Sequence, residues 1–143
     1  MNENNQLPST NDQLMTNDQL TNYQTEKIPQ GKFDLEGRTT KFAKAIIRLC
    51  YKLPKNPINF ELISQLVRSA GSVGANYREA NDALSRKDLL HRLKITRKEA
   101  KESCHWLELI LEANSGTKGE TDLLIREAYE LKKIFSSIIG KLE

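Results

Sequence analysis

The chain of 143 residues has no long hydrophobic run, since none approaches the roughly 18 uncharged residues that a membrane-spanning helix needs. Its two cysteines are too few for a disulfide scaffold. The first thirty residues have neither the basic nor the apolar segment of a secretory signal, and Walker, dinucleotide-binding and hydrolase motifs are missing from the sequence. We therefore expect a cytoplasmic protein that does not enter a membrane.

Neither sign of charge dominates, because 22 Lys and Arg stand against 19 Asp and Glu for a net charge of +3. With 38% hydrophobic residues, the chain has enough apolar mass for one core. The charge is unevenly distributed: residues 1–31 carry −3 and residues 32–143 carry +6. That excess makes nucleic acid a candidate partner.

Residues 1–31 are predicted to be a disordered tail. They contain eleven Asn and Gln and few large apolar side chains, so they bury too little surface to offset the entropy cost of ordering. An Asn/Gln-rich interaction arm is the alternative interpretation. Residues 32–143 are assigned to one folded domain.

From Arg38 onward, apolar residues recur at intervals of three and four, the spacing of one face of an α-helix. Four such segments follow one another, and none shows the alternation of a β-strand. Their short connections favour antiparallel neighbours, so we predict an all-α domain, an antiparallel up-down four-helix bundle. The expected core positions are Phe42, Ile46, Leu49 and Leu53; Ile63, Leu66, Ala70, Val73, Tyr77, Ala80 and Leu84; Leu89, Leu93, Thr96, Ala100, Ser103, Leu107 and Ile110; and Leu124, Ala128, Leu131, Phe135, Ile138 and Leu142.

The helix boundaries are predicted from capping residues and breakers. Pro54 ends the first helix, because proline cannot continue it. Asn59 and Ser85 are the expected N-caps of the second and third helices, since their side chains accept hydrogen bonds from amides of the first turn. The fourth helix is expected to begin at Glu120 or Thr121.

The second helix contains Gly71 and Gly74, and each glycine costs roughly 1 kcal/mol relative to alanine inside a helix. Close approach of another backbone compensates for such a cost. Together with Ala75 they form a small-residue surface, for which two interpretations stay open: tight packing within the chain, or a subunit interface. A phosphate loop is excluded, because the amides are committed to the helix.

The third helix carries seven basic residues against three acidic ones between positions 86 and 102. Several share one face, where they could follow a phosphate backbone, although a solvated face explains them equally well. Like charges four residues apart cost a few tenths of a kcal/mol unless an anion binds. The predicted nucleic-acid-binding residues are Arg86, Lys94, Arg97, Lys98 and Lys101. Without a readout motif, such binding would be sequence-tolerant, and Tyr77 and Trp106 do not form a stacking platform.

A bundle metalloenzyme is the competing class, since Asp88 and His91, and likewise Glu102 and His105, are three residues apart. Di-iron bundles take ligands from several helices, whereas both motifs here lie on one helix. We expect no catalytic residue, metal ligand or cofactor. Both cysteines are interpreted as small apolar fillers.

The segments QLVRSAGSVGANYREA at 65–80, DLLHRLKI at 88–95 and EAKESCHWLEL at 99–109 resemble the four-helix bundle proteins encoded in intervening sequences of 23S rRNA genes. The resemblance covers about 42–142. It implies a homopentameric ring without an established enzymatic activity or cofactor. A more distant resemblance is to the accessory protein of diversity-generating retroelements, a pentameric bundle that binds nucleic acid.

Two hypotheses follow. The first is a non-enzymatic homopentamer that contacts RNA or DNA through the basic face of the third helix. The second is a protein-only oligomeric scaffold or adaptor.

Overall fold

A computed structural model describes residues 34–143, within which four α-helices and no strand occur. The helices are α1 (Leu35–Tyr51), α2 (Pro57–Asn81), α3 (Arg86–Ala113) and α4 (Lys118–Leu142), and a 3₁₀ turn (Ser115–Thr117) separates the last two. The predicted tail at 1–31 lies outside the described residues.

The four helices form an up-down bundle in which α2 and α4 each pack against both α1 and α3. Two cross-helix contacts fix the direction of α1 against α4: Arg38 bonds Glu127, and Lys52 bonds Glu120. The order of these pairs shows that the two helices run antiparallel. The predicted all-α fold and the up-down architecture are therefore confirmed.

The core is built from the predicted apolar stripes. In α3 all seven predicted positions are buried, and in α4 all six are. The second stripe is wrong at its end, because Leu84 lies beyond the last residue of α2 and is 62% exposed, while its neighbour Ala83 is buried. Within residues 34–143 no helix is both long and apolar enough to cross a membrane.

The start of α2 also differs from the prediction. Asn56 is the N-cap, since its side chain accepts the amide hydrogen of Asn59 at 2.8 Å, and Pro57 occupies the first helical position. That arrangement suits proline, which has no amide hydrogen to leave unsatisfied. Ser85 caps α3 as predicted, through the amide of Asp88 at 3.1 Å. The helix α4 begins at Lys118, two residues before Glu120 and three before Thr121, the two predicted starts.

Asn59 has a different role, because its side chain is buried against that of Asn114. The Nδ2 of Asn59 donates to Oδ1 of Asn114 at 3.0 Å, and the Nδ2 of Asn114 donates back at 2.9 Å. Each amide also donates to a backbone carbonyl, that of Pro54 and that of Ile110. The pair joins the first turn of α2 to the residue that ends α3.

Candidate nucleic-acid interface and uncharged face

Glu99 and Glu102 of α3 face α2, where Arg68 lies between them. The Nη1 of Arg68 is 3.3 Å from Oε2 of Glu99, and its Nη2 is 3.8 Å from Oε1 of Glu102. Asp88, the remaining acidic residue of this segment, is 3.8 Å from Arg92 on the same helix. The negative charges between positions 86 and 102 are therefore paired with arginines.

Glu99 is the buried member of this cluster, with 8% of its surface exposed. Burial raises the pKa of its carboxyl, the neighbouring Glu102 raises it further, and Arg68 opposes both. Removal of a carboxylate from water disfavours its charged form, and a second carboxylate nearby acts in the same direction. The cluster is therefore a contact between α2 and α3 in which Arg68 partly neutralises the buried carboxylate of Glu99.

The five predicted nucleic-acid-binding residues divide into two groups. Arg86 donates to the carbonyl of Leu142, and the ammonium of Lys94 is 3.0 Å from Glu143, so both are held by the end of α4. Arg97, Lys98 and Lys101 form no hydrogen bond or ion pair within residues 34–143. These three cations remain available to an external anion.

The side of α4 that faces α3 adds an aromatic ring and a further cation. Cys104 donates through its sulfur to the carbonyl of Ile125 at 3.9 Å, which sets the register of the two helices. Lys101 lies one turn before Cys104, and Tyr129 lies one turn after Ile125. Because the helices are antiparallel, Lys101 and Tyr129 come level with each other.

Lys132 belongs to the same surface. Its ammonium lies 4.9 Å from the centroid of the Tyr129 ring. Burial and Glu108 raise the pKa of the Cys104 thiol, and the charge of Lys132 acts against them, so Lys132 reaches towards α3. We define the basic surface as Arg97, Lys98, Lys101, Tyr129 and Lys132. The sequence prediction missed the last two, because only the register of α3 and α4 brings them to the basic face.

The small-residue surface of α2 is divided by the structure. Gly74 is buried against α1, where an added Cβ would lie 3.0 Å from Oγ1 of Thr39. Gly71 and Ala75 are exposed, and an added Cβ at Gly71 would meet no atom within 4 Å. The interpretation of tight packing within the chain therefore describes Gly74, whereas a subunit interface at Gly71 and Ala75 stays a prediction.

Exposed apolar side chains continue this surface across α2 and α1. Phe60 and Val67 are exposed on α2, and Ile47 and Tyr51 on α1. Arg78 donates to Thr40 at 3.1 Å, and Ile47 and Gly71 each lie two turns from these residues in the antiparallel direction, so the two sets adjoin. We define the uncharged face as Ile47, Tyr51, Phe60, Val67, Gly71 and Ala75.

The described part of the chain contains no assembled metal site or catalytic site. No group of three or more His, Cys, Asp and Glu side chains comes together there. His91 and His105 are exposed, and the carboxylates of Asp88 and Glu102 are bound to arginines. The thiol of Cys50 is half-buried, and burial raises its pKa to about 11, which suits a packing role.

A groove of about 600 Å³ lies between α1 and α4. Arg38 spans it through two hydrogen bonds of 2.8 Å to the carboxylate of Glu127. Because the charges of Arg38 and Glu127 neutralise each other, the groove is a weaker candidate site for a charged ligand than the basic surface.

Comparison with known proteins places the fold among characterised structures. The family model described as 23S rRNA-intervening sequence protein matches residues 32–137. A solved structure from Bacteroides thetaiotaomicron VPI-5482, described as a protein with unknown function from the S23 ribosomal protein family, is 34% identical. The match has a TM-score of 0.67 and covers 73% of this chain and 94% of that one. No curated protein matches the chain.

Proposed function

The chain belongs to the 23S rRNA-intervening sequence protein family, and from that premise we propose a non-enzymatic bundle that forms a homopentameric ring and binds RNA or DNA without sequence specificity. The basic surface makes the nucleic-acid contact, and the uncharged face meets a second copy of the chain. One observation carries the first part: Glu99 and Glu102 are paired with Arg68 of α2, while Arg97, Lys98 and Lys101 of the same helix form no ion pair within residues 34–143.

Phosphate contact explains why Arg97, Lys98 and Lys101 stand together without an ion-pair partner among residues 34–143. Arg97 and Lys101 are four residues apart, so they repel each other until an anion neutralises them. Four cations that each neutralise one phosphate give a slope of log affinity against log salt near −3 on a single strand. Binding that depends on phosphates is tolerant of sequence, in keeping with a surface that has no readout motif.

The test is charge reversal in the full-length protein. Arg97→Glu with Lys101→Glu should weaken binding to all sequences alike and flatten the salt dependence. The matched control is Lys41→Glu with Lys55→Glu, which changes the net charge equally at two exposed cations on and after α1, outside the basic surface and the uncharged face. Equal losses in both variants would mean that overall charge and not the basic surface drives binding.

Assembly is supported by the character of the uncharged face. In a chain with 29% charged residues, six exposed positions on adjacent helices carry apolar or small side chains, and the same helix faces carry two charged residues, Lys44 and Arg78. Exposed apolar patches of this kind mark interaction sites. The absence of a Cβ at Gly71 and the small Ala75 let a neighbouring backbone approach closely.

Light scattering tests the ring. The wild type should give a mass of about 80 kDa, five times 16.3 kDa. Gly71→Leu should dissociate it without loss of helicity, because the subunit has open space there. Gly74→Leu is the contrast, since it should destabilise the subunit through Thr39. A wild type that is monomeric at micromolar concentration refutes the ring.

A protein-only scaffold or adaptor is the second candidate, and the uncharged face favours it independently of charge. It becomes the better description if the wild-type ring forms but binds no RNA or DNA even at low salt.

A further inference from the structure

We propose that the basic surface takes single-stranded in preference to double-stranded nucleic acid, with Tyr129 as a stacking platform for a base. This rests on the proposed function, because it names the class of nucleic acid that the same surface binds. The phosphates on either side of the stacked base would meet Arg97, Lys101 and Lys132. The juxtaposition of an exposed aromatic ring with unpaired cations carries the inference.

Tyr129 is 52% exposed, in the middle of a long helix and not at a loop. The ammonium of Lys132 is 4.9 Å from the centroid of its ring. The ring thus has a cation beside it and remains open to solvent over half its surface. Proteins that bind single strands combine the same two elements, a positive surface that follows the backbone and an aromatic ring on which a base stacks.

The register of α3 and α4 places the two elements in order. Position 125 is opposite 104, so 128–129 are opposite 101, and 132 is opposite 97. Lys101 with Tyr129, and Arg97 with Lys132, therefore form two successive levels about one turn, or roughly 5.4 Å, apart. A strand that runs along this pair of helices meets cations at both levels and the aromatic ring at one.

A duplex cannot use this ring in the same way. Its bases are stacked on one another inside the helix, and only their edges reach the grooves. An unpaired base presents its flat face to any aromatic ring, whatever its identity, which agrees with sequence-tolerant binding. A surface that bound only duplex phosphates would gain nothing from Tyr129.

The experiment measures fluorescence anisotropy of labelled single-stranded and double-stranded oligonucleotides of equal length at one moderate salt concentration. The wild-type protein should bind the single strand more tightly. Tyr129→Ala should weaken single-strand binding by about fivefold to about a hundredfold, the range for loss of one stacked base, and leave duplex binding unchanged. Tyr129→Phe should retain wild-type affinity, because the ring is kept.

Leu123→Ala is the matched control, since it truncates another large exposed side chain of α4 that is not part of the basic surface. Light scattering on each variant confirms that the oligomeric state is unchanged. Full single-strand affinity in Tyr129→Ala, or equal affinity of the wild type for duplex, overturns this inference. The proposed function survives that result if Arg97→Glu with Lys101→Glu still weakens binding, and both fail if the wild type binds no nucleic acid.

Discussion

Substitution of Gly74 by alanine is a direct test of how closely α1 approaches α2. An alanine in the interior of a helix is more favourable than glycine by roughly 1 kcal/mol. At Gly74 the added methyl group would lie 3.0 Å from Oγ1 of Thr39, which is closer than normal contact, and 3.4 Å from its Cβ. Overpacking of this kind costs roughly 1–3 kcal/mol.

Thr39 cannot easily move away. Its hydroxyl donates to the carbonyl of Leu35 at 2.7 Å and lies 3.1 Å from that of Glu36, and the residue is fully buried. Rotation of the side chain would break these bonds, at a cost of about 1 kcal/mol. We therefore expect Gly74→Ala to lower the free energy of unfolding by about 1 kcal/mol, once the gain in helix propensity is subtracted.

A double-mutant cycle makes the prediction decisive. In a Thr39→Ala background Oγ1 is gone, so Gly74→Ala should become stabilising by up to about 1 kcal/mol. The assay is urea unfolding followed by circular dichroism, at one subunit concentration because assembly affects stability. Gly140→Ala, where no atom lies within 4 Å of an added Cβ, is the control for propensity alone. If Gly74→Ala stabilises both backgrounds equally, the close approach of α1 to α2 is refuted.

Three further predictions follow from the buried groups and the histidines. The raised pKa of Glu99 means that ionisation of its carboxyl lowers the stability of the folded protein, and this cost develops as the pH rises from the ordinary value of 4.5 through the raised folded value. The free energy of unfolding of Glu99→Gln should therefore increase relative to that of the wild type between pH 4 and pH 7. A difference in urea unfolding that is constant over this range would contradict the prediction. With a pKa of about 11, Cys50 in a Cys104→Ser variant should react with a thiol reagent at pH 8 much more slowly in folded than in urea-unfolded protein, and equal rates would show that it is not buried. Elemental analysis of untagged protein should find no stoichiometric iron, manganese or zinc, and two metals per chain would revive the metalloenzyme hypothesis.

The core of this fold could be predicted because burial follows helical periodicity. Leu89, Leu93 and Leu107 are buried at the positions that their spacing requires. The end of α2 could not be read in this way, since Leu84 continues the spacing although the helix has already ended at Asn81. Periodicity reports which residues share a face, but it does not report where the backbone leaves the helix.

Only part of the candidate nucleic-acid interface could be predicted from the sequence. The basic residues of α3 can be recognised from the sequence because they are close together in one segment, whereas Tyr129 comes next to them only through the register of α3 and α4. The contacts of Arg86 with Leu142 and of Lys94 with Glu143 could not be predicted for the same reason, since each joins residues more than 45 positions apart in the sequence. Asn56 is a different case, because Pro57 after it was a local signal for the N-cap that the sequence prediction passed over.

The paired amides of Asn59 and Asn114 have a consequence for how the protein opens. The short connection at 82–85 joins α2 to α3 at one end, and the two side chains join them at the other, so this hairpin is closed at both ends. The shorter α1, with 17 residues, is joined to the end of α2 by Glu36, which accepts hydrogen bonds from Arg78 and Asn81. The Glu36–Arg78 ion pair is exposed, and exposed ion pairs contribute less to stability than buried hydrogen-bonded amides. Thermal fluctuations should therefore detach α1 before they separate α2 from α3, and amide hydrogens of the hairpin should be the last to exchange with solvent.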